Sequence, residues 1–242
     1  MVITLHRQDP VCWICGSDQK LSREHFPKKA DTRSYFAGTQ GPMYRTDATT
    51  QNEIVQGPGS DRLRWGAPIC AECNNARTSS HDRAWDQVRA FLLTHWASVV
   101  MQGEFDLQSI FPSELSTRSI ALQLYFVKVL GCFIVDRNVN VDLNAFIKAL
   151  MQGQAHPLLR LIFADASQIH TKSKSLLSAS QPRILGDATG KIETIQLLYV
   201  LRPVCVQMTY ATQETSLRAI PAAWHPRAGT SIIRLGPPIG AD

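Results

Sequence analysis

The stretch CAECNNARTSSHDRAW, residues 70–85, decides the fold of the N-terminal part of this chain. Its first four residues form a knuckle of two cysteines separated by two residues, and Cys12-Trp-Ile-Cys15 repeats that spacing earlier in the chain. A tight turn lets both thiolates of such a pair reach one Zn²⁺ at about 2.3 Å, and two pairs complete a tetrahedral site. We therefore predict a structural zinc site on four residues, Cys12, Cys15, Cys70 and Cys73.

The sequence context favours metal binding by these cysteines over disulfide formation. The N-terminal sequence MVITLHRQDP lacks the long apolar core of a signal peptide, and thiols in a reducing compartment bind metals more often than they form disulfides. We therefore expect a cytoplasmic protein. A lone CxxC pair would leave a redox role open, whereas two pairs favour zinc. Cys132 and Cys205 lie in apolar runs and are predicted to be core residues.

The composition is that of a globular protein, with 44% hydrophobic and 19% charged residues among 242. The formal net charge of +5 favours a polyanionic partner such as nucleic acid, although a slightly basic protein without such a partner has the same charge. The most apolar run, residues 120–135, contains Gln123 and Lys128 and is shorter than the ~20 residues of a membrane span. No membrane partner is expected.

The hydrophobic pattern predicts helices in the middle of the chain and strands after residue 156. Helices are predicted from the apolar pattern over residues 86–100, about 117–135 and 142–151. Strands are predicted in LLRLIFA, IETIQLLYVL, VCVQMTYA and SIIRL, with a hairpin connection in GDATG. These elements predict an α+β fold class.

We predict two parts in the chain. Residues 1–90 form the zinc-stapled N-terminal module, with a long insertion over residues 31–66 that is rich in Gly, Thr, Gln and Pro. A loop of that length is uncommon unless it is functional or locally structured. Residues 91–242 form an α+β domain, a helical segment followed by a β-rich region. This domain carries no catalytic motif, so roles in specificity, homo-oligomerisation and binding of a protein partner stay open.

A Glu-His dipeptide lies between the knuckles in LSREHFPKKA, residues 21–30. A neutral imidazole can take a proton from water, but hydrolysis of a phosphodiester also needs a divalent ion on the phosphate. Glu24 supplies a hard oxygen ligand beside His25. A helix that begins at the second knuckle would present four polar side chains on one face, Asn74, Arg77, Thr78 and His81. They offer an amide oxygen for a metal, a guanidinium for phosphate and an imidazole.

Together these motifs resemble the HNH endonuclease superfamily in its zinc-stapled form with a ββα-metal core. The resemblance covers about residues 10–90 and rests on three segments, Cys12-x-x-Cys15, Arg23-Glu24-His25-Phe26-Pro27-Lys28 and Cys70-x-x-Cys73-Asn74-Asn75. It implies that His25 is the general base and that Glu24 and Asn74 hold Mg²⁺ or another divalent ion. It also implies a phosphodiester hydrolase, with DNA favoured over RNA as the substrate.

The sequence departs from the family pattern before the second knuckle. Family members often carry a middle Asn there that orients the catalytic His, and RLRWGAPIC, residues 62–70, contains none. Asn52 and Asn75 are the two alternatives for this role. His81 is an alternative to Asn74 as the last ligand.

Five basic residues are candidates for contact with phosphate. Arg77 is expected to contact phosphate because it lies one turn after Asn74. Four other basic residues form either a phosphate track or a solvated rim, Lys28, Lys29, Arg62 and Arg64.

The competing function is a non-catalytic zinc-stapled nucleic-acid-binding module, which the missing middle Asn favours. A pure binder needs neither a base nor an ion site, so we expect a nuclease.

Overall fold

The computed structural model describes residues 10–37, 43–45, 53–169, 177–179, 182–187, 189–214, 217, 220 and 222–239. Within these ranges the helices are α1 (Lys29–Tyr35), α2 (Ser79–Gln102), α3 (Leu107–Ile110), α4 (Leu115–Asp136) and α5 (Asn144–Gln152). The strands are β1 (Leu21–His25), β2 (Met43–Arg45), β3 (Glu53–Val55), β4 (Arg64–Cys70), β5 (Glu104–Asp106), β6 (Leu159–Asp165), β7 (Leu177–Ala179), β8 (Arg183–Gly186), β9 (Ile192–Leu201), β10 (Val204–Ala211) and β11 (Ile232–Arg234). The α+β class is confirmed.

The predicted helices and strands after residue 85 are present. The three helical patterns correspond to α2, α4 and α5, and the four strand patterns correspond to β6, β9, β10 and β11. A sheet in the order β6-β10-β9-β7 covers the C-terminal part, and β8 also pairs with β9. The strands β8 and β9 are antiparallel, so the predicted hairpin connection between them is confirmed.

Helix α4 lies in the core of the protein. Its apolar side chains belong to one hydrophobic cluster that also contains side chains of α2, β4, β6, β9 and β10. The helix is long and apolar enough to cross a membrane, but 83% of its apolar 18-residue window is buried inside the protein. Burial of this kind is typical of a core helix.

The packing does not follow the predicted division at residue 90. That boundary falls inside α2, which continues to Gln102. The main hydrophobic cluster contains Trp13 and Ile69 from one side of the boundary and Leu130 and Tyr199 from the other. The two predicted parts therefore share a core.

The segment 31–66 is not a loop throughout, which corrects the prediction. It includes most of α1, the paired strands β2 and β3, and a 3₁₀ turn at Asp61–Leu63. The buried carboxylate of Asp31 anchors α1, because it accepts hydrogen bonds from Trp85 Nε1 at 2.9 Å, from Arg89 and from the Tyr199 hydroxyl. The sequence did not predict these contacts of Asp31, because an Asp in a polar segment is normally interpreted as an exposed loop residue.

Candidate active site and metal centre

Four thiol groups converge beside the first strand pair. The sulfur atoms of Cys12, Cys15, Cys70 and Cys73 all lie within 4.8 Å of one another, and the sulfurs of Cys15 and Cys70 are 3.6 Å apart. Tetrahedral thiolates at about 2.3 Å from one ion are themselves about 3.8 Å apart. The four residues, called the cysteine cluster below, are therefore close enough to hold a metal ion.

The backbone of both knuckles is held in tight turns. Gly16 has a φ of +76°, which an L-residue adopts only with strain, and its N–H donates to the Cys12 carbonyl at 2.8 Å. In the second knuckle, the Cys73 N–H donates to Cys70 Sγ at 3.4 Å. The first knuckle is also docked on α4, because a Cβ at Gly131 would lie 2.3 Å from the Trp13 ring.

An irregular hairpin carries the Glu-His dipeptide. Strands β1 and β4 are antiparallel, with Leu21 opposite Cys70 and His25 opposite Arg64. The register shifts between Arg23 and His25, so that residues 65–67 of β4 lie opposite the single residue Glu24. Bulges re-aim side chains and are common beside active sites. Adjacent strand residues normally point to opposite faces, yet both Glu24 and His25 line one cavity.

This cavity is open to solvent and has a volume of about 660 Å³. It is called the Glu24–His25 cavity below. Five of the predicted site residues line it, namely Glu24, His25, Lys28, Asn74 and Asn75. Asp82, which the sequence did not single out, adds a second carboxylate. The fold thus brings residues that are about 50 positions apart in the chain to one surface depression.

His25 is held as a neutral imidazole at the hairpin end. Burial lowers its pKa, and the positive charges of Arg64 and Lys29 lower it further. The Arg64 Nε–H donates to His25 Nε2 at 3.3 Å. Nε2 is therefore the acceptor nitrogen of the neutral ring, and it can take a proton from water where that water replaces the Arg64 N–H.

Arg64 contacts His25 where an Asn was expected. Of the two predicted alternatives, Asn75 instead donates to the Ala71 carbonyl at 3.0 Å, and Asn52 lies outside the described residues. Asn75 therefore lines the cavity without orienting the imidazole by this contact. The strand register explains the role of Arg64, because it places this residue directly opposite His25.

Glu24 is buried and paired with a lysine from α4. Its Oε2 lies 3.3 Å from Lys128 Nζ, and the same nitrogen lies 3.0 Å from Asp82 Oδ1. Burial raises the pKa of the Glu24 carboxyl, and the Lys128 ammonium opposes that rise. Although burial pulls the pKa of Lys128 down, the two carboxylates outweigh it and raise the pKa. One ammonium is thus shared by both carboxylates of the cavity.

Asn74 presents an oxygen that lacks a hydrogen-bond donor. Its Nδ2 donates to Ser22 Oγ at 3.3 Å, which fixes the orientation of the amide. Its Oδ1 is buried and has no hydrogen-bond partner among the described residues. A buried acceptor is normally satisfied, and amide oxygens are ligands for hard divalent cations. Asn74 therefore fits the predicted role of a ligand.

Of the four residues predicted to share one helical face, Asn74 lines the cavity, whereas Arg77, Thr78 and His81 are not among the described residues that line it. The segment Glu72–Arg77 is a π-helix, and α2 begins only at Ser79. The wider π turn changes the angle at which later side chains project. Arg77 lies against Cys73, where it opposes the rise in the thiol pKa that burial causes. His81 is buried, and burial together with Lys128 lowers its pKa to about 4.

The predicted basic residues differ in how far their charge is already paired. Lys28 lines the cavity, but its Nζ lies 2.9 Å from Asp86 and donates to the Asp82 carbonyl at 3.0 Å. Arg62 pairs with Glu53 at 3.2 Å. Lys29 and Arg33 line the cavity and add positive charge there.

Sequence reasoning missed the roles of Lys128, Asp82 and Arg64. A lysine inside an apolar helical run is a usable signal, since a charged residue is buried only with partners. Asp82 and Arg64 carry no comparable signal in the sequence. No protein-family model, curated protein or solved structure matches this chain. A functional assignment must therefore be argued from the site.

Proposed function

We propose that this chain is a metal-dependent endonuclease of the HNH class, which hydrolyses phosphodiester bonds and takes DNA in preference to RNA. The observation that carries the proposal is the convergence of Glu24, His25 and Asn74 on one cavity. These three residues were selected by their resemblance to the HNH motif. A non-catalytic nucleic-acid-binding module has no need for an acid, a neutral imidazole and an unpartnered amide oxygen in one place.

The cysteine cluster would hold Zn²⁺ as a structural ion. Four sulfur ligands at compatible separations suit Zn²⁺, and a site closed by four protein ligands is structural. The paired strands β1 and β4, followed by α2, would then form the ββα core that the sequence resemblance implies. The cluster joins β4 to the first knuckle and so stabilises the hairpin that carries Glu24 and His25.

A divalent ion such as Mg²⁺ would be held by Glu24 and Asn74. The carboxylate and the unpartnered Asn74 oxygen are hard ligands, and Asp82 lines the same cavity. When bound, such an ion holds phosphate oxygens and stabilises the charge on the departing oxygen.

The chain's own residues supply proton transfer and phosphate binding. The neutral His25 ring accepts a proton from the attacking water at Nε2, once that water takes the place of the Arg64 N–H that donates to Nε2 in the structure. Lys29 and Arg33 attract the phosphate backbone electrostatically. Arg77 has no phosphate role in this arrangement, because its guanidinium lies beside the cysteine cluster.

Cleavage of supercoiled plasmid tests the proposal. The wild-type protein and the His25→Ala variant, both with confirmed zinc content, are incubated with Mg²⁺, Mn²⁺ or EDTA. We expect ion-dependent nicking that falls at least ~10²-fold in the variant, because a general base contributes about that factor. His95→Ala is the matched control, since His95 is an exposed residue of α2 bonded to the Phe91 carbonyl.

An RNA of the same sequence is assayed in parallel with the plasmid. Faster cleavage of DNA supports the stated preference, and faster cleavage of RNA reverses it. If the wild-type protein binds both nucleic acids and cuts neither, the nuclease proposal fails and the binding module replaces it.

A further inference from the structure

Lys128 comes from the part of the chain to which the sequence assigns no chemistry, yet it contacts the Glu24–His25 cavity. It lies in the apolar run of α4 and is fully buried, with 0% of its surface exposed. Moving an ammonium group out of water is strongly unfavourable unless other groups compensate its charge. Its position therefore depends on its partners.

The ammonium has three acceptors within hydrogen-bonding distance. They are Asp82 Oδ1 at 3.0 Å, Glu24 Oε2 at 3.3 Å and Thr78 Oγ1 at 3.4 Å. Lysine has three N–H donors, so these contacts match its capacity. The Tyr125 ring, with its centroid 5.9 Å from the same nitrogen, adds a cation–π contact.

These contacts connect Lys128 to the three segments that form the ion site of the proposed function. Glu24 belongs to β1 and Asp82 belongs to α2. Thr78 continues the connection, because its hydroxyl lies 3.0 Å from the Cys73 carbonyl and 3.2 Å from the Asn74 carbonyl and so donates to the turn that carries Asn74. The ammonium bonds one oxygen of each carboxylate and offsets one of their two negative charges. The pair therefore keeps one negative charge against Lys128, in a cavity that Lys29 and Arg33 also line.

We infer that Lys128 is a positioning residue for the divalent-ion site, holding Glu24, Asp82 and the turn that carries Asn74 in the arrangement that receives the ion. This inference rests on the proposed function. A lysine that only clamps α4 to the hairpin would leave the ion affinity of the folded protein unchanged. The ion affinity of a folded Lys128 variant therefore distinguishes a positioning residue from one that only holds α4 against the hairpin.

Binding of Mn²⁺ to the zinc-loaded protein, followed by the electron paramagnetic resonance of free Mn²⁺ without nucleic acid, is the test. We expect Lys128→Met to weaken Mn²⁺ binding at least ~10-fold while zinc content and circular dichroism stay those of the wild type. Lys128→Arg, which keeps the charge and donors, should recover part of the loss. Lys148→Met, at an exposed lysine of α5, is the control that should bind Mn²⁺ as the wild type does.

Thr78 supplies a second pair of variants in case Lys128→Met does not fold. Thr78→Val removes the hydroxyl between Lys128 and the carbonyls of Cys73 and Asn74 and keeps the shape, and we expect it to weaken Mn²⁺ binding about 3-fold at unchanged zinc content. Thr78→Ser keeps the hydroxyl and should bind normally. Equal affinity in Thr78→Val and Thr78→Ser would overturn the inference.

The remaining outcomes separate this inference from the proposed function. Unchanged or tighter Mn²⁺ binding by folded Lys128→Met would overturn the positioning role, because removal of a positive charge alone favours a cation. If that variant behaves so while the wild type binds Mn²⁺ and cuts plasmid, only the positioning role fails. If the wild-type protein neither binds Mn²⁺ nor cuts nucleic acid, the proposed function fails and this inference fails with it.

Discussion

The cysteine cluster and the Glu24–His25 cavity lie along the same hairpin, but they are built in different ways. The cluster takes all four of its residues from positions 12–73, as two local knuckles of identical spacing. The cavity takes its balancing charge from Lys128, which lies 46 positions beyond Asp82 in the chain. A site assembled from local motifs can be found in a sequence, whereas a site completed by a distant helix needs the fold.

Helix α4 couples the two regions. Lys128, Gly131 and Asp136 recur at steps of three and five, which places them on neighbouring faces of the helix. Lys128 contacts the cavity carboxylates, Gly131 packs against Trp13 of the first knuckle, and Asp136 accepts a hydrogen bond from the Gly66 N–H in the irregular part of β4. Loss of the metal from the cysteine cluster is therefore expected to affect the cavity through α4.

Removal of the metal from the cysteine cluster should have the largest effect. We expect Cys73→Ser, or chelation of zinc, to unfold the hairpin and abolish cleavage, because binding of a structural zinc contributes on the order of 10 kcal/mol to folding. Thermal unfolding followed by circular dichroism, with metal content measured alongside, checks this. Cys205→Ala is the control, since Cys205 is buried in a separate apolar cluster; equal melting of both variants and the wild type would remove the structural role of the ion.

Replacement of Arg64 should have an intermediate effect that is confined to the cavity. We expect Arg64→Ala to lower kcat about 10-fold with little change in KM, because the imidazole loses the contact that holds it in place before the water binds. Arg64→Lys should recover part of that loss. Arg62→Ala is the matched control, because Arg62 pairs with Glu53 on the surface. Similar losses in Arg62→Ala and Arg64→Ala would indicate general phosphate binding instead.

The smallest effect concerns two buried histidines that belong to neither region, His156 and His225. Burial lowers the pKa of each from 6.5 to about 4. Between those values the unfolded chain binds more protons, so these residues contribute stability above pH 6.5 that is lost as pH falls towards 4. We expect a loss of about 1 kcal/mol per histidine for each pH unit in this window.

Urea unfolding between pH 7 and pH 4.5 measures this pH dependence. His225→Gln should reduce the dependence, and His95→Gln, at an exposed ring, should not. A wild-type free energy of unfolding that does not fall across this range would contradict the neutral, buried state of these rings.

The sequence predicted the features that depend on local motifs and apolar periodicity. It was misleading where a polar residue is buried in the fold. The paired knuckles predicted four thiols that converge, and the apolar periodicity predicted α2, α4 and α5. The polar segment after residue 30 was taken for a loop because nothing in the sequence shows that Asp31 is buried among α2 and β9. The predicted directions of the Arg77 and His81 side chains were wrong, because the π-helix that precedes α2 has no recognisable sequence pattern here.

The two-ion account is tested most directly by anomalous X-ray diffraction from zinc-loaded crystals soaked in Mn²⁺, recorded at the absorption edges of both metals. The account predicts a zinc peak among Cys12, Cys15, Cys70 and Cys73 and a separate manganese peak in the Glu24–His25 cavity, within ligand distance of Glu24 and Asn74. A zinc peak in the cluster with no manganese beside Glu24 would contradict the catalytic site and leave a zinc-stapled binding module.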